Sequence, residues 1–300
     1  MKPITSLDGI VENLRSSGTK KRVVVVCAHH KSTLLAFKRA VFEGFVVPIF
    51  IGVKDVILQI ASEIGFDISN MEIIDEGNEI ISMEIAINII RDDGADVIMK
   101  GLINSSNFLS PLIRDLNPEK ELIHHIAIMQ VPGRGRLVLM SDVAVIVLPI
   151  LQQKIRMIEN MISVAKSLGI EIPKIAIVCA SEKVSTKQPA TMDADNLVTL
   201  WQSGHFENCI IEGPIAMDCV DDGGCCKTKK YKTQIGGCVD GEIYPSLEAG
   251  NIRYKTLMKY ARATAGSLIF GLSVPCVLTS RGDSDDVEYY SLVCACVVNA

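Results

Sequence analysis

Short, nearly all-apolar runs alternate along the chain with longer stretches whose apolar positions recur every three to four residues. RVVVVCA (22–28), VPIFIG (47–52), MEIID (71–75) and ADVIMKG (95–101) are too short for helices and rich in β-branched residues. A helical pattern follows each, the last from about Ser105. Such alternation predicts an α/β fold with a parallel sheet covered on both faces. A second series begins near Arg136 with the strand RLVLMSD, a helix over 150–170 closed by Gly169, and the strand KIAIVCASE after Pro173. A helix from about Asp193, the strand NCIIEGP, an irregular stretch from Asp218 to Gly241, a helix from about Glu248 to Thr264 and the strand VPCVLTS complete it. The turn VPGRGR (131–136) is the expected hinge between two lobes.

Composition narrows the class. The chain has 300 residues, 48% hydrophobic and 22% charged, so it can build a substantial core. A net charge of −5 argues against a nucleic-acid partner, which calls for a basic face. Mean hydropathy is +0.30, yet no run approaches the roughly 20 apolar residues of a membrane span. The N-terminus lacks the apolar core of a signal peptide, so no membrane association and a cytoplasmic location are expected. Ten cysteines without an export signal read as free thiols. Cys27, Cys179, Cys209, Cys276, Cys294 and Cys296 sit in apolar runs as core residues, and no CxxC pairing points to zinc.

The polar residues cluster where strands end, which is where open α/β sheets bind ligands. Those ends read His29-His30-Lys31-Ser32-Thr33, Lys100-Gly101 with Asn104-Ser105-Ser106, Ser141-Asp142, Ser181-Glu182-Lys183, Glu212-Gly213-Pro214 and Thr279-Ser280-Arg281. Helix N-termini beside several of them favour anions. Lys100 with Asn104 and Ser105 reads either as a phosphate cradle or as plain helix capping. His125 in its apolar run is either a hydrogen-bonded core residue or a ligand contact. Arg281 reads either as part of a plain surface turn or as a phosphate contact, since it can fork onto a phosphate in a way lysine cannot. GxSxG, P-loop, GxGxxG and HExxH motifs are all missing from the sequence. The residues alone thus reach a two-lobed α/β protein that binds an anionic, phosphate-bearing ligand, and no reaction.

Eight segments in order resemble the phosphate acetyl/butyryltransferase family, most closely its phosphate butyryltransferase branch. They are MKGLINSSNFL (99–109), HHIAIM (124–129), SDVAVIVLP (141–149), LGIEIPKIAIVCASEKV (168–184), QPATMDADNL (188–197), IEGPIAMD (211–218), EAGNIRYKTL (248–257) and VPCVLTSRGDS (274–284). The resemblance implies a fold like that of isocitrate and isopropylmalate dehydrogenases. Two α/β/α lobes, 1–135 plus 271–300 and 136–270, would flank an active-site cleft. It implies the reaction acyl-CoA plus phosphate giving acyl phosphate plus CoA, by direct transfer in a ternary complex.

The resemblance further implies CoA as co-substrate, no bound cofactor, no metal requirement, and a homodimer or higher homo-oligomer. By the same resemblance Arg281 grips the phosphoryl oxygens and Ser280 hydrogen-bonds the reacting group. Asp283, or else Asp286, takes the thiol proton. Lys100, Gly101, Asn104 and Ser105 form the anion cradle, and His125, Ser141, Asp142, Glu248 and Asn251 complete the binding set. The branch favours butyryl or a similar short acyl group. Two departures stand out: Ile146 where the family has asparagine, and Ser110 where it has arginine, with Arg114 one helical turn further on. They keep two alternatives in play, a phosphate acetyltransferase and a weak or inactive protein that binds acyl-CoA or acyl phosphate.

Overall fold

The computed structural model describes residues 2–117, 119–279 and 284–298. The chain opens with α1 (Leu7–Ser17), β1 (Lys21–Val26), α2 (Lys31–Glu43), β2 (Val46–Gly52), α3 (Lys54–Glu63), β3 (Glu72–Asp75), α4 (Glu79–Arg91), β4 (Val97–Lys100) and α5 (Ser105–Leu116). The middle holds β5 (His124–Gln130), β6 (Leu137–Ser141), α6 (Leu151–Ser167), β7 (Lys174–Val178), α7 (Pro189–Gln202), β8 (Ile210–Ile215), α8 (Met217–Asp221), α9 (Gly223–Thr228), β9 (Gly241–Ile243) and α10 (Leu247–Tyr260). β10 (Thr264–Phe270), β11 (Cys276–Val277) and α11 (Asp285–Val297) follow. Two compact units result: an N-terminal unit of Leu7–Ile123 with Thr264–Ala300, and a central unit of His124–Ala263 with Met1–Ser6.

In the N-terminal unit the strands run β3-β2-β1-β4-β11-β10, all parallel except β10, which is antiparallel to β11. Val23–Val26 are buried on both faces, which is why β1 takes the centre. The chain moves from β1 outward to β3 and then crosses to β4 on β1's other side. This reversal opens a crevice beyond the carboxyl ends of β1 and β4. α11 packs on β10 and α2, while α4 packs on β1 and α5.

The central unit has the order β5-β6-β9-β7-β8. β5 and β6 form an antiparallel hairpin in which Gln130 faces Leu137, and β6, β9, β7 and β8 are parallel. The sheets are therefore mixed, not wholly parallel as the alternation predicts.

VPGRGR is the turn of that hairpin and lies inside the central unit rather than at a hinge. Its arginines fasten it there. Arg134 bonds Asp221 and Glu242, and Arg136 bonds the Cys238 carbonyl and Asp240. The unit boundaries consequently fall at Ile123/His124 and Ala263/Thr264, earlier in the chain than 135/136 and 270/271. The stretch from Asp218 to Gly241 also carries more order than expected, with α8 and α9 inside it and β9 starting at its end.

Candidate active site

The carboxyl edge of the N-terminal sheet gathers most of the expected anion cradle. β1 gives way to Cys27, which takes a left-handed φ of 55°, and then to Ala28, His29 and His30. Beside it β4 ends on Lys100, which is buried and donates from Nζ to the Gly101 carbonyl at 3.3 Å. Gly101 is required by close approach: a Cβ there would stand 2.4 Å from the Cys27 carbonyl oxygen. Asn104 holds the N-cap position of α5 with extended backbone, and Ser105 is that helix's exposed first residue.

A cavity of about 270 Å³ opens at this edge, lined by Cys27, His29, Gly77, Glu79, Leu102, Ile103 and Asn104. Burial, with the nearby Glu79 carboxylate adding to it, pushes the Cys27 thiol up to about 11, so Cys27 stays a thiol. His29 is lowered from its ordinary value, first by burial and then by His30.

Ser280, Arg281 and Asp283 lie outside the described residues. Asp286 is described. It stands in the first turn of α11 with its side chain 64% exposed, 3.3 Å from the Arg39 guanidinium. Arg39 in turn stacks on the Tyr289 ring at 3.7 Å and bonds the Tyr290 hydroxyl.

The buried carboxylate of this helix is Glu288, which the sequence reading does not single out. Its side chain is 6% exposed, one oxygen accepts a short hydrogen bond from Ser32 Oγ, and Oε2 has no partner. Ser32 Oγ also lies 2.9 Å from His30 Nδ1. Helical phase holds the signal that finds Glu288. It falls three, four and seven residues before Ser291, Leu292 and Ala295, all buried, so it shares their inward face.

In the central unit His125, Ser141 and Asp142 come together, fully enclosed. Asp142 Oδ1 accepts from the amides of Ala144 and Val145, both at 2.7 Å, and Oδ2 accepts from the His125 amide at 2.9 Å. His124 Nδ1 lies 3.1 Å from Ser141 Oγ, and its Nε2 lies 2.9 Å from the Asn160 amide nitrogen. Burial lowers both histidines, His124 to about 4, with Asp142 opposing. His125 Nδ1 has no hydrogen-bond partner.

Asn251 donates to the Val143 carbonyl at 2.8 Å and ties α10 to the turn after Asp142. Gly250 lets that helix approach, since a Cβ would stand 2.3 Å from the Asp142 carbonyl oxygen. Glu248, by contrast, is exposed on the first turn of α10.

Elsewhere in the central unit ligand atoms of Glu182, Asp218 and Cys219 lie within 4.8 Å of one another. The Lys229 ammonium already sits between the two carboxylates, at 2.7 and 2.8 Å. This cluster is a lysine ion-pair site and offers no vacant place for a cation.

Residues 78–296 match the family described as phosphate acetyl/butaryl transferase. The chain is 33% identical to a phosphate butyryltransferase of Clostridium acetobutylicum over 98% of each protein. It is also 33% identical to a phosphate acetyltransferase of Thermotoga maritima, over 97% of this chain and 99% of that one. Among solved structures, a phosphotransacetylase from Streptococcus pyogenes superposes with a TM-score of 0.80 at 20% identity, over 97% of this chain and 98% of that one. A branched-chain phosphotransacylase from Enterococcus faecalis V583 gives 0.77 at 23%, over 92% and 98%. At such identities the two superpositions speak for the fold.

Proposed function

The chain belongs to the phosphate acetyl/butyryltransferase family, and from that premise we infer that it moves a short acyl group between CoA and inorganic phosphate. Acyl-CoA plus phosphate gives acyl phosphate plus free CoA. The observation that carries this reading is the likeness to phosphate butyryltransferase, which spans nearly the whole of both chains. Butyryl or a similar short chain is the proposed acyl group, and the transfer is direct, within a ternary complex. The two units are read as the α/β/α lobes of an isocitrate/isopropylmalate dehydrogenase-like fold, a reading supported by the strand–helix alternation in each. The resemblance also supports a homo-oligomer.

Arg281 is assigned to the phosphoryl oxygens and Ser280 to the reacting group. Lys100, buried at the end of β4, supplies positive charge at the carboxyl edge of the sheet. Positioning and charge stabilisation of this kind account for large accelerations without a covalent intermediate. The test is CoA thiol release from acyl-CoAs of two to six carbons, with and without phosphate. Phosphate-dependent release that is fastest near butyryl is expected; no release from any of them refutes the reading. Arg281→Ala is expected to lose about 10²-fold or more in kcat/KM, the scale seen when an oxyanion donor is removed.

A further inference from the structure

The two histidines that follow β1 point apart. His29 Nδ1 faces the turn after β2, where it accepts from the Val53 amide at 3.4 Å. His30 faces α11 instead. Its Nδ1 lies 2.9 Å from Ser32 Oγ and 4.0 Å from Glu288 Oε1, and Ser32 Oγ bonds that same carboxylate oxygen.

The chemistry of the three groups fixes the proton positions. A carboxylate only accepts, so the single Ser32 proton goes to Glu288. The serine then offers only lone pairs to the imidazole, and the proton of a neutral His30 must sit on Nδ1. That leaves Nε2 with a free lone pair and, among the described residues, no partner. The His30 side chain is 37% exposed, which leaves room for a substrate beside it. Glu288 Oε2, buried and unpartnered, keeps the carboxylate short of its hydrogen bonds. Such a group stabilises a cation formed beside it more than a saturated one does.

Position agrees with chemistry. β1 pairs with β4, and β4 with β11, all parallel, so His30, Lys100 and Thr279 follow the same edge of one sheet. Two strand spacings separate the ends of β1 and β11, roughly 10 Å. The chain that leaves β11 carries the Ser280–Arg281 pair, and its next helix, α11, delivers Glu288 back to Ser32. Asp286, two residues earlier, is turned to Arg39 instead.

We propose that His30 is the base that takes the proton of the CoA thiol, with Ser32 and Glu288 as positioning residues that fix its tautomer; this rests on the transacylase reading above. In the CoA-consuming direction the thiol proton passes to Nε2, and the thiolate sulfur bonds the acyl carbon. The bond from that carbon to the phosphate oxygen breaks, and its electron pair leaves with phosphate. In reverse, a phosphate oxygen bonds the thioester carbon and the carbon–sulfur bond breaks onto sulfur. The imidazolium then returns its Nε2 proton to the departing thiolate. The Glu288 carboxylate faces the imidazolium in both directions.

Kinetics and spectroscopy on the full chain test this separately. His30→Gln is expected to lower kcat about 10²-fold or more while leaving both KM values within about threefold, and imidazole should restore part of the turnover of His30→Ala. Glu288→Gln should show a smaller loss of kcat. In the unmutated protein, nitrogen NMR of labelled histidine should find His30 protonated on Nδ1. A His30→Gln kcat within about threefold of wild type, a loss carried by KM, a His30→Ala defect that imidazole leaves untouched, or an Nε2–H tautomer each overturns the assignment. A wild-type chain that releases no thiol from any acyl-CoA refutes the transacylase reading instead, and the tautomer still reports on the relay.

Discussion

His29-His30 and His124-His125 are the same dipeptide placed at opposite ends of strands: the first pair follows β1 and the second begins β5. Each pair has a carboxylate and a serine beside it. Around His124-His125 those partners are spent internally. Asp142 holds three backbone amides, and Ser141 and Asn160 hold both nitrogens of His124. Around His30 the partners leave something over, an open Nε2 on the ring and an unpartnered oxygen on Glu288. Residue identity is alike in the two places, and access differs: the central cluster's unpartnered atom, His125 Nδ1, is enclosed, whereas the His30 side chain is 37% exposed. An enclosed cluster stabilises the fold, and an accessible cluster with unfilled valence can handle a proton.

Removing the carboxylate from the enclosed cluster should give the largest effect. Asp142→Ala leaves the amides of His125, Ala144 and Val145 without their acceptor, two of those residues being half-buried or fully enclosed. A loss of about 3–5 kcal/mol of unfolding free energy is expected from urea titration. Glu288→Gln, which removes no backbone partner, should cost less than about 1 kcal/mol. Equal costs would erase the distinction between the clusters.

Acid should reveal the same asymmetry at a slightly smaller scale. Burial holds His124 at about 4 in the folded protein against 6.5 ordinarily. Above pH 6.5 both folded and unfolded chains carry a neutral ring, and the full stability is present. As pH falls from 6.5 toward 4, the unfolded chain binds a proton that the folded chain refuses, so stability drops. Below about 4 both states are protonated and the decline from this group ends. The expected fall is on the order of 3 kcal/mol, measured as the difference between wild type and His124→Asn across a pH series. A variant that loses stability over this range as steeply as wild type would break the account.

The sequence weighs a role for His125 and notes His29-His30 only as a polar strand end, for reasons that lie in the fold. The four valines of β1 and the run ending in Lys100 announce buried parallel strands, and both form. β9 has only three residues, too few for any period to register, although it sits between β6 and β7. β10 begins Thr-Ala-Gly-Ser, and its Gly266 is small because a Cβ there would meet Cys294 Sγ at 2.5 Å. A strand that starts with small residues chosen by a helix from the far end of the chain carries no strand signal of its own. His125 draws the eye because it interrupts an apolar run, yet that run is why its ring is enclosed. In the sequence Glu288 hides beside Asp283, Asp285 and Asp286 as one more acid in an acidic run. Only its register with Ser291, Leu292 and Ala295 separates it from them. The bond to Ser32 joins residues 256 positions apart, beyond the reach of any local pattern.

Chemical modification gives the smallest perturbation and bears most directly on the comparison. Diethyl pyrocarbonate acylates a neutral imidazole nitrogen that it can reach, so reactivity reads access and a free lone pair together. The chain has five histidines, and His205 is the one outside the two pairs. Its ring is partly exposed near Glu159, and His29 and His30 are partly exposed at the carboxyl edge of the N-terminal sheet. Mass spectrometry of the folded protein at neutral pH should therefore find His30 and His205 modified, His29 modified more slowly because its Nδ1 lone pair accepts from the Val53 amide, and His124 and His125 protected until urea unfolds the chain. Full activity after modification of His30 alone would separate the open nitrogen from catalysis. Modification of His124 in the folded state would show that the central cluster opens, and the enclosed half of the comparison would fail.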